Sequence, residues 1–265
     1  MGIKIAISGK GGVGKSTVAG TLARLYAQDG ASVLAIDADP DANLASAIGM
    51  PTSSRAQVRT ISHERHLIEE RTGARVREFG QIFTLNPDVT GIAEEYGTEY
   101  AGVHLLVLGA IQMAGGGCAC PESVLLKSLV RDLVVRRDDV VILDMEAGIE
   151  HLGRGSAMGV DVIVAVVEPG SRSLETAQRV RQMSRELGIE RFGVILNKSL
   201  SSDDTNEVIM AFGDGVLIGV IGYDARLVKA DQQGLSVVDL GEPELLVPFN
   251  DIKQKLKSFD KASRA

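Results

Sequence analysis

A glycine-rich loop at residues 9–17, Gly-Lys-Gly-Gly-Val-Gly-Lys-Ser-Thr, constrains the fold of this chain more than any other segment. Gly9, Gly14, Lys15 and Ser16 fit the pattern G-x-x-x-x-G-K-[ST]. In such loops backbone N–H groups converge on a triphosphate, the lysine meets the β- and γ-phosphates, and the hydroxyl ligates Mg²⁺. The residues before the loop alternate as in a β-strand and those after it recur at helical spacing, so a helix N-terminus points at the anion. We therefore predict a nucleotide site formed by Gly11, Gly12, Val13, Gly14, Lys15, Ser16 and Thr17.

Apolar runs alternate with helical patterns along most of the chain. We predict strands at residues 3–8, 32–37, 104–108, 140–144, 161–167, 192–197 and 216–221, with helices at 121–136 and 171–187 between some of them. This alternation predicts an α/β fold in one domain spanning residues 1–265: a single doubly wound, mostly parallel β-sheet flanked by helices. The chain is 45% hydrophobic and lacks Trp, so Ile, Val, Leu and Ala must fill a sheet buried on both faces. Ligands of such sheets bind beyond the carboxyl ends of the strands.

Two segments depart from this pattern. Residues 49–103 are less regular, and we predict an insertion there with one helix near 62–72 and a short strand, for which the apolar run 81–85 is the candidate. A C-terminal helix over about 249–262 places Ile252, Leu256 and Phe259 on one face. Such a helix either targets a membrane or docks on the chain's own sheet. Three apolar residues bury little area, which favours docking.

Charge and hydropathy argue against several classes of protein. The formal net charge of −7 disfavours bulk electrostatic binding to nucleic acid. No apolar run approaches the roughly 20 residues that cross a bilayer, and the first residues lack the layout of a signal peptide. We therefore expect a cytoplasmic protein that binds neither nucleic acid nor membrane, and whose two cysteines are thiols rather than a disulfide.

Lys10 is a second cation in the loop, beyond the one that a phosphate-binding loop requires. The string Lys-Gly-Gly-Val-Gly-Lys-Ser at residues 10–16 resembles the deviant Walker A signature of the MinD/ParA/nitrogenase-iron-protein ATPases. The resemblance implies that Lys10 reaches across a homodimer to the partner's nucleotide and neutralises transition-state charge, as an arginine finger does. It also implies an ATPase with Lys10 and Lys15 in its catalytic set. The alternative is a solvated lysine on an exposed loop.

Three acidic residues follow two of the predicted strands. An apolar strand ends at Asp144, the Walker B arrangement that holds Mg²⁺, and the following D-x-x-x-G step resembles the switch II segment of this group, where the N–H of Gly148 senses the γ-phosphate. Asp37 and Asp39 follow the second strand in a segment that resembles switch I. That resemblance makes Asp39 the residue that orients the attacking water and puts Asp37 near the magnesium. A helix cap at Asp144 and a capped Asp/Pro turn at 37–41 are the alternatives.

The sequence offers candidates for binding the base. Asn197 and Lys198, at the end of the sixth predicted strand, resemble the position that contacts adenine in these ATPases, and one amide offers both a donor and an acceptor. Residue 200 is Leu rather than the Asp of the guanine-selective N-K-x-D motif, so ATP is favoured over GTP. Tyr223 and Asp224 fall where relatives have a base-flanking loop.

Cys118 and Cys120 are the only cysteines. Two thiols separated by one residue in extended backbone point to the same side and are close enough to share one metal ion. Pro121 suits the first position of a helix, whose N-terminal dipole favours a thiolate at Cys120. The alternative is passive packing, which the flanking glycines oppose. Because two sulfurs do not complete a four-coordinate shell, a homodimer that brings both pairs together would supply four.

The loop, the C-x-C pair and residues 144–152 together resemble the CooC family of nickel-dependent carbon monoxide dehydrogenase maturation ATPases. The resemblance implies an ATP-controlled homodimer with cofactors ATP/ADP and Mg²⁺, which binds Ni²⁺ or Zn²⁺ through Cys118 and Cys120. It implies delivery of nickel to a client enzyme, with carbon monoxide dehydrogenase or acetyl-CoA synthase as candidates. The alternatives are a MinD/ParA-type spatial-organisation ATPase and an iron–sulfur cluster carrier.

Overall fold

The computed structural model describes residues 2–75, 78, 80–109, 120–136, 139–149, 152 and 159–261. Its centre is an eight-stranded sheet in the order β3-β4-β2-β5-β1-β6-β7-β8, in which only the edge pair β3–β4 is antiparallel. The strands are β1 (Lys4–Ser8), β2 (Val33–Ala38), β3 (Thr98–Tyr100), β4 (Val103–Val107), β5 (Val140–Met145), β6 (Val162–Val167), β7 (Phe192–Ser199) and β8 (Leu217–Gly222). The predicted doubly wound, mostly parallel sheet is confirmed.

Helices cover both faces of this sheet. They are α1 (Lys15–Gln28), α2 (Leu44–Ala47), α3 (Thr52–Arg55), α4 (Arg65–Thr72), α5 (Ile92–Tyr96), α6 (Pro121–Arg136), α7 (Ser171–Glu186), α8 (Ser202–Phe212), α9 (Ala225–Gln233) and α10 (Pro243–Lys261). Short 3₁₀ turns lie at Ile61–His63, Asp214–Val216 and Val237–Leu240. No helix in the described ranges combines the length and apolarity needed to cross a bilayer.

Alternating strand residues pack into apolar clusters on opposite faces of the sheet. Ile5 and Ile7 of β1 pack on the side of α1 and α10, whereas Ala6 packs on the side of α4 and α6. A strand turns successive side chains to opposite faces, so a strand buried on both must be apolar throughout. All six residues of β2, β5 and β6 are buried, which explains their continuous apolar runs.

The C-terminal helix docks on the chain's own sheet, as the sequence favoured. Phe249, Ile252 and Leu256 are buried in the same core as β1 and α1, and Phe259 packs against it. The helix begins at Pro243, earlier than the predicted 249, and carries Pro248 inside it. In its first turn Leu245 is buried in the same core and Glu244 pairs with Arg226, so the docked face extends further toward the N-terminus than the three residues used for the prediction.

The insertion contains the predicted helix but not the predicted strand at 81–85. Helix α4 covers residues 65–72, whereas residues 81–85 are irregular and Ile82 is 97% exposed. The edge of the sheet beside β4 is instead occupied by β3, so this apolar run has no strand to pair with. Pairing, which a short apolar run does not encode, decided which segment became a strand.

Candidate nucleotide-binding site

The glycine-rich loop joins β1 to α1 at the carboxyl end of the sheet, as the sequence predicted. Gly9 has a φ of 152° and a Cβ there would lie 2.3 Å from the Val166 carbonyl oxygen. Gly14 has a φ of 95°, and its Cβ would lie 2.3 Å from the Asn197 amide nitrogen. Only glycine fits either position, because both the backbone angle and the space exclude a side chain. Gly11 and Gly12, by contrast, face open space.

The two loop lysines differ in their surroundings. Lys15 is buried, and its ammonium lies 3.5 Å from the Lys10 carbonyl oxygen and 3.7 Å from Oδ2 of Asp39. The structure therefore brings Lys15 and Asp39 together. The Lys10 ammonium makes no hydrogen bond or ion pair within the described part of the chain, and the residue is half-buried.

Asp37 and Asp144 lie side by side at the ends of β2 and β5, where the strand register pairs them directly. The Asp37 carboxylate accepts the N–H groups of Asp39 and Leu44, at 3.1 and 2.9 Å, and so caps the switch I segment. Neither carboxylate oxygen of Asp144 has a hydrogen-bond partner among the described residues. Asp37 therefore organises a loop, whereas Asp144 has no hydrogen-bond partner in the part of the chain that the structure describes.

Burial raises the pKa of both carboxyl groups. The pKa of Asp144 rises to about 8, mainly through desolvation and further through the charge of Asp37, while the Ser16 hydroxyl and the Lys15 ammonium favour its ionised form. The pKa of Asp37 rises to about 6, again through desolvation, against the two backbone hydrogen bonds that it accepts. A buried carboxylate without a partner among the described residues is costly, so a cation bound there would stabilise its charged form.

This donor set fits Mg²⁺. The cation prefers oxygen ligands and is held by one or two carboxylates together with waters and substrate phosphates. Asp144 supplies an unpaired buried carboxylate, and Ser16, close enough to affect its pKa, supplies the hydroxyl. Asp37 borders the same position from β2. Three residues predicted from the sequence for magnesium are thus brought together.

Ser8, which the sequence did not single out, connects β1 to the segment after Asp144. Its fully buried hydroxyl donates to the Glu146 carbonyl at 2.7 Å and lies 3.5 Å from the Gly148 carbonyl. The predicted switch II glycine therefore lies directly beside the residue that precedes the loop. A serine at a strand end gives no sequence signal for this role, since such residues are common in solvated turns.

A cavity of about 150 Å³ opens beside the loop. It is lined by Gly12, Gly14, Thr17, Val18, Asn197, Lys198, Gly222, Tyr223, Asp224, Leu227, Val228, Asp231 and Phe249. Pockets for drug-sized ligands measure roughly 300–1,000 Å³, so this one has room for a base rather than a whole nucleotide. All four residues predicted to bind the base line it.

Those four residues are not equally available to a base. The Asn197 amide donates to the Val13 carbonyl at 2.8 Å, and the Lys198 ammonium donates to the Gly12 carbonyl at 2.6 Å. Asp224 caps α9 and pairs with Arg226, which holds the pKa of its carboxyl to about 2. Tyr223 is half exposed at the rim. The adenine contact of Asn197 therefore stays a prediction.

Arg226 is a second residue that sequence reasoning missed. Its guanidinium binds Asp224, Glu242 and Glu244, and so ties the loop at 223–224 to the start of α10. The loop follows Gly222, the last residue of β8, and these ion pairs restrain it. The spacing of Asp224 and Arg226 was visible in the sequence, but the other two acidic partners of Arg226 lie far along the chain.

Of the two cysteines, Cys120 is described and Cys118 lies outside the described residues. Cys120 directly precedes α6, and its sulfur accepts the N–H of Ser123 at 3.4 Å. Burial raises the pKa of its thiol, and nearby Glu122 raises it further. The predicted thiolate at the helix N-terminus is therefore wrong for this structure, because desolvation outweighs the helix-end hydrogen bond. Within the described ranges, no group of three or more His, Cys, Asp or Glu side chains could hold a metal ion.

Known proteins share this sequence and fold. Residues 4–237 match the family described as the CobQ/CobB/MinD/ParA nucleotide binding domain. The carbon monoxide dehydrogenase accessory protein CooC of Rhodospirillum rubrum is 47% identical over 238 residues, 90% of each chain. An uncharacterized ATP-binding protein of Methanocaldococcus jannaschii is 42% identical over 88% of this chain and 90% of its own.

Solved structures agree on the fold. MinD of Pyrococcus horikoshii complexed with Mg-ADP matches with a TM-score of 0.66 and 18% identity, over 97% of this chain and 96% of that one. The fold and the loop thus define a P-loop nucleotide-binding protein that hydrolyses ATP. The chain belongs to the CobQ/CobB/MinD/ParA family and, within it, to the CooC-type ATPases.

Proposed function

We propose that this chain is a dimeric, ATP-driven metallochaperone of the cytoplasm that helps to insert nickel into carbon monoxide dehydrogenase or a related enzyme such as acetyl-CoA synthase. Its cargo, nickel or zinc, is bound by Cys118 and Cys120 of both subunits. The observation that carries the proposal is the 47% identity over 90% of the chain to a carbon monoxide dehydrogenase accessory protein. The C-x-C pair supplies the soft ligands that such cargo requires.

The chain between β4 and α6, which contains both cysteines, begins beside the nucleotide site. This position supports a coupling between nucleotide and cargo. The N–H of Leu108 donates to the Asp37 carbonyl at 2.8 Å, directly before the segment that leads to α6. Asp37 in turn caps switch I through Leu44. A rearrangement of switch I therefore acts on one end of the chain segment that bears both thiols. Ordering and release of switch loops by the γ-phosphate is a common basis for such coupling.

For hydrolysis we assign roles to the residues around the loop. Lys15 binds the β- and γ-phosphates, and Asp39, 3.7 Å from Lys15, orients the water that attacks the γ-phosphorus. Asp144, Ser16 and Asp37 hold Mg²⁺, which neutralises the developing phosphate charge when bound. Lys10 extends to the partner's nucleotide, so the dimer completes both sites. The loop N–H groups of residues 11–17 hold the phosphates in place.

Metal analysis of the purified homodimer tests the cargo. We expect about one nickel or zinc ion per dimer with ATP, and loss of that ion in the Cys118→Ala/Cys120→Ala variant. The matched control is Lys255→Ala, a change on the exposed side of α10. Metal that persists without both thiols would overturn the proposal. A client pull-down with the metal-loaded dimer then identifies the recipient enzyme.

The alternative from another functional class is a MinD/ParA-type spatial-organisation ATPase. MinD of Thermotoga maritima is 24% identical over 96% of this chain. The burial of Ile252 and Leu256 in the chain's own core disfavours a C-terminal membrane helix. ATP-dependent binding to anionic vesicles or DNA, with metal content unaffected by loss of the thiols, would favour this alternative.

Metal analysis of the same purified dimer distinguishes a metallochaperone from an iron–sulfur cluster carrier. Four thiolates from a dimer could hold a cluster instead of one ion. Such a protein would contain iron and sulfide and absorb visible light when purified without oxygen. Nickel or zinc without iron, in a colourless dimer, supports the metallochaperone.

A further inference from the structure

Two consecutive side chains of β7 donate hydrogen bonds to two consecutive carbonyl groups of the phosphate loop. The Lys198 ammonium donates to the Gly12 carbonyl at 2.6 Å, and the Asn197 amide donates to the Val13 carbonyl at 2.8 Å. Backbone N–H groups converge on an anion only when the neighbouring carbonyls point away from it. Those outward carbonyls need donors of their own, and here β7 supplies them.

A local irregularity in β7 makes this double contact possible. In a regular strand successive side chains point to opposite faces, so Asn197 and Lys198 would not reach the same loop. The pairing of β7 with β8 shifts between Leu196 and Ser199, and Lys198 has a φ of 58°, in the left-handed region. A bulge of this kind re-aims side chains, and it persists only where the surroundings hold it.

Glu168 holds the lysine in place. Its carboxylate lies 3.1 Å from the Lys198 ammonium, and its own N–H donates to the Ser173 hydroxyl at 3.0 Å, at the start of α7. The exposed fractions of the two side chains are 38% for Lys198 and 27% for Glu168, so the ion pair is partly screened by water. The ion pair therefore acts mainly by orienting the Lys198 ammonium toward the Gly12 carbonyl.

We propose that Glu168 is a positioning residue that, acting through Lys198, fixes the phosphate loop for the polyphosphate. This role concerns nucleotide binding by the ATPase and holds whatever the cargo and client are. This role affects the binding of the phosphates alone, so an experiment can separate it from recognition of the base.

Binding of three probes to the full-length protein tests this role. The probes are the non-hydrolysable analogues AMPPNP and GMPPNP, and inorganic tripolyphosphate, which has no base. We expect Lys198→Met to weaken all three by a similar factor of roughly tenfold, and Glu168→Gln by roughly threefold, since a partly exposed pair contributes less than a buried one. A variant that lowers affinity for AMPPNP but not for tripolyphosphate would overturn the proposal in favour of a base contact.

A double mutant tests whether Glu168 acts through Lys198. The Glu168→Gln/Lys198→Met protein is expected to bind tripolyphosphate no more weakly than Lys198→Met alone, because the carboxylate has nothing left to orient. Additive losses would contradict this coupling. Glu175→Gln, an exposed change on α7, is the matched control.

A second variant at Lys198 guards against a folding defect. Lys198→Gly accepts the left-handed backbone without strain and removes the ammonium. We expect it to keep the wild-type melting temperature or raise it, and still to bind tripolyphosphate as weakly as Lys198→Met. Wild-type affinity in this variant would show that the lysine does not position the loop.

Discussion

Asp37 and Asp144 face each other across neighbouring strands, yet only Asp37 has hydrogen-bond partners among the described residues. The two carboxyl groups therefore have different roles. Asp37 shapes the loop that leads to Leu44, and Asp144 keeps both oxygens available for a cation. Because an unpaired buried carboxylate is unfavourable, Asp144 holds a proton up to about pH 8 until a cation replaces it.

Replacing Asp144 separates catalysis from folding. Asp144→Asn is expected to lower Mg²⁺-dependent ATP turnover at least about 100-fold, because the amide cannot neutralise the cation. The same change is expected to raise the free energy of unfolding in EDTA above about pH 8, where it removes a buried charge. Turnover assays and urea denaturation measure the two effects. Wild-type turnover would rule out Asp144 as a magnesium ligand.

The raised pKa of Asp144 predicts a pH-dependent stability. Its folded pKa of about 8 lies above the ordinary value of 3.8, so the folded state binds more protons between those values. Stability from this group is therefore fully present below about pH 4 and is lost as pH rises to about 8. The raised pKa of Asp37, about 6, acts in the same direction up to about pH 6.

Urea denaturation from pH 5 to pH 9, in EDTA and without nucleotide, checks this dependence. The free energy of unfolding of the wild type, minus that of Asp144→Asn, is expected to fall as pH rises. Taking the difference cancels groups that the two proteins share. A difference independent of pH would contradict the raised pKa.

The Lys10 ammonium, which has no partner among the described residues, should matter only between subunits. Lys10→Ala is expected to lower ATP turnover about 1,000-fold, the low end for a charge supplied in trans, and to abolish nucleotide-driven dimers. The melting temperature of the monomer should not change, since Lys10 makes no ion pair within the described ranges. Turnover and light scattering with AMPPNP measure these effects, with Lys255→Ala as control. Dimers that form normally without Lys10 would argue against a role across the interface.

The docked C-terminal helix should contribute to stability. Ile252 is fully buried, and a Cβ at Gly219 would lie 2.2 Å from it, so β8 and α10 are in close contact. Ile252→Ala is expected to lower the free energy of unfolding by about 2–5 kcal/mol, through lost burial and a new cavity. Gln254→Ala, on the exposed side of the same helix, should change it by less than about 0.5 kcal/mol. An equal effect of both changes would contradict docking through this face.

Much of the site could be predicted because it is encoded locally. The loop pattern at residues 9–17 and the acids at the ends of β2 and β5 are adjacent to strands whose apolar runs are unambiguous. Parallel strands then bring their carboxyl ends to one edge, so Asp37, Asp144 and Ser16 had to meet. The contacts of Ser8 with Glu146, of Glu168 with Lys198 and of Arg226 with Glu242 could not be predicted, because each joins residues 16 or more positions apart in sequence.

The sequence alone determined the α/β class, the phosphate loop and the placement of two acids at neighbouring strand ends, because hydrophobic periodicity and a short motif carry that information. Tertiary structure decided which segment became the edge strand, which acid was left unpaired, and where Asn197 and Lys198 point. It also raised the pKa of the Cys120 thiol, against the prediction from its helix position. The physical reason is the same throughout. Pairing, desolvation and side-chain direction depend on neighbours that folding brings together.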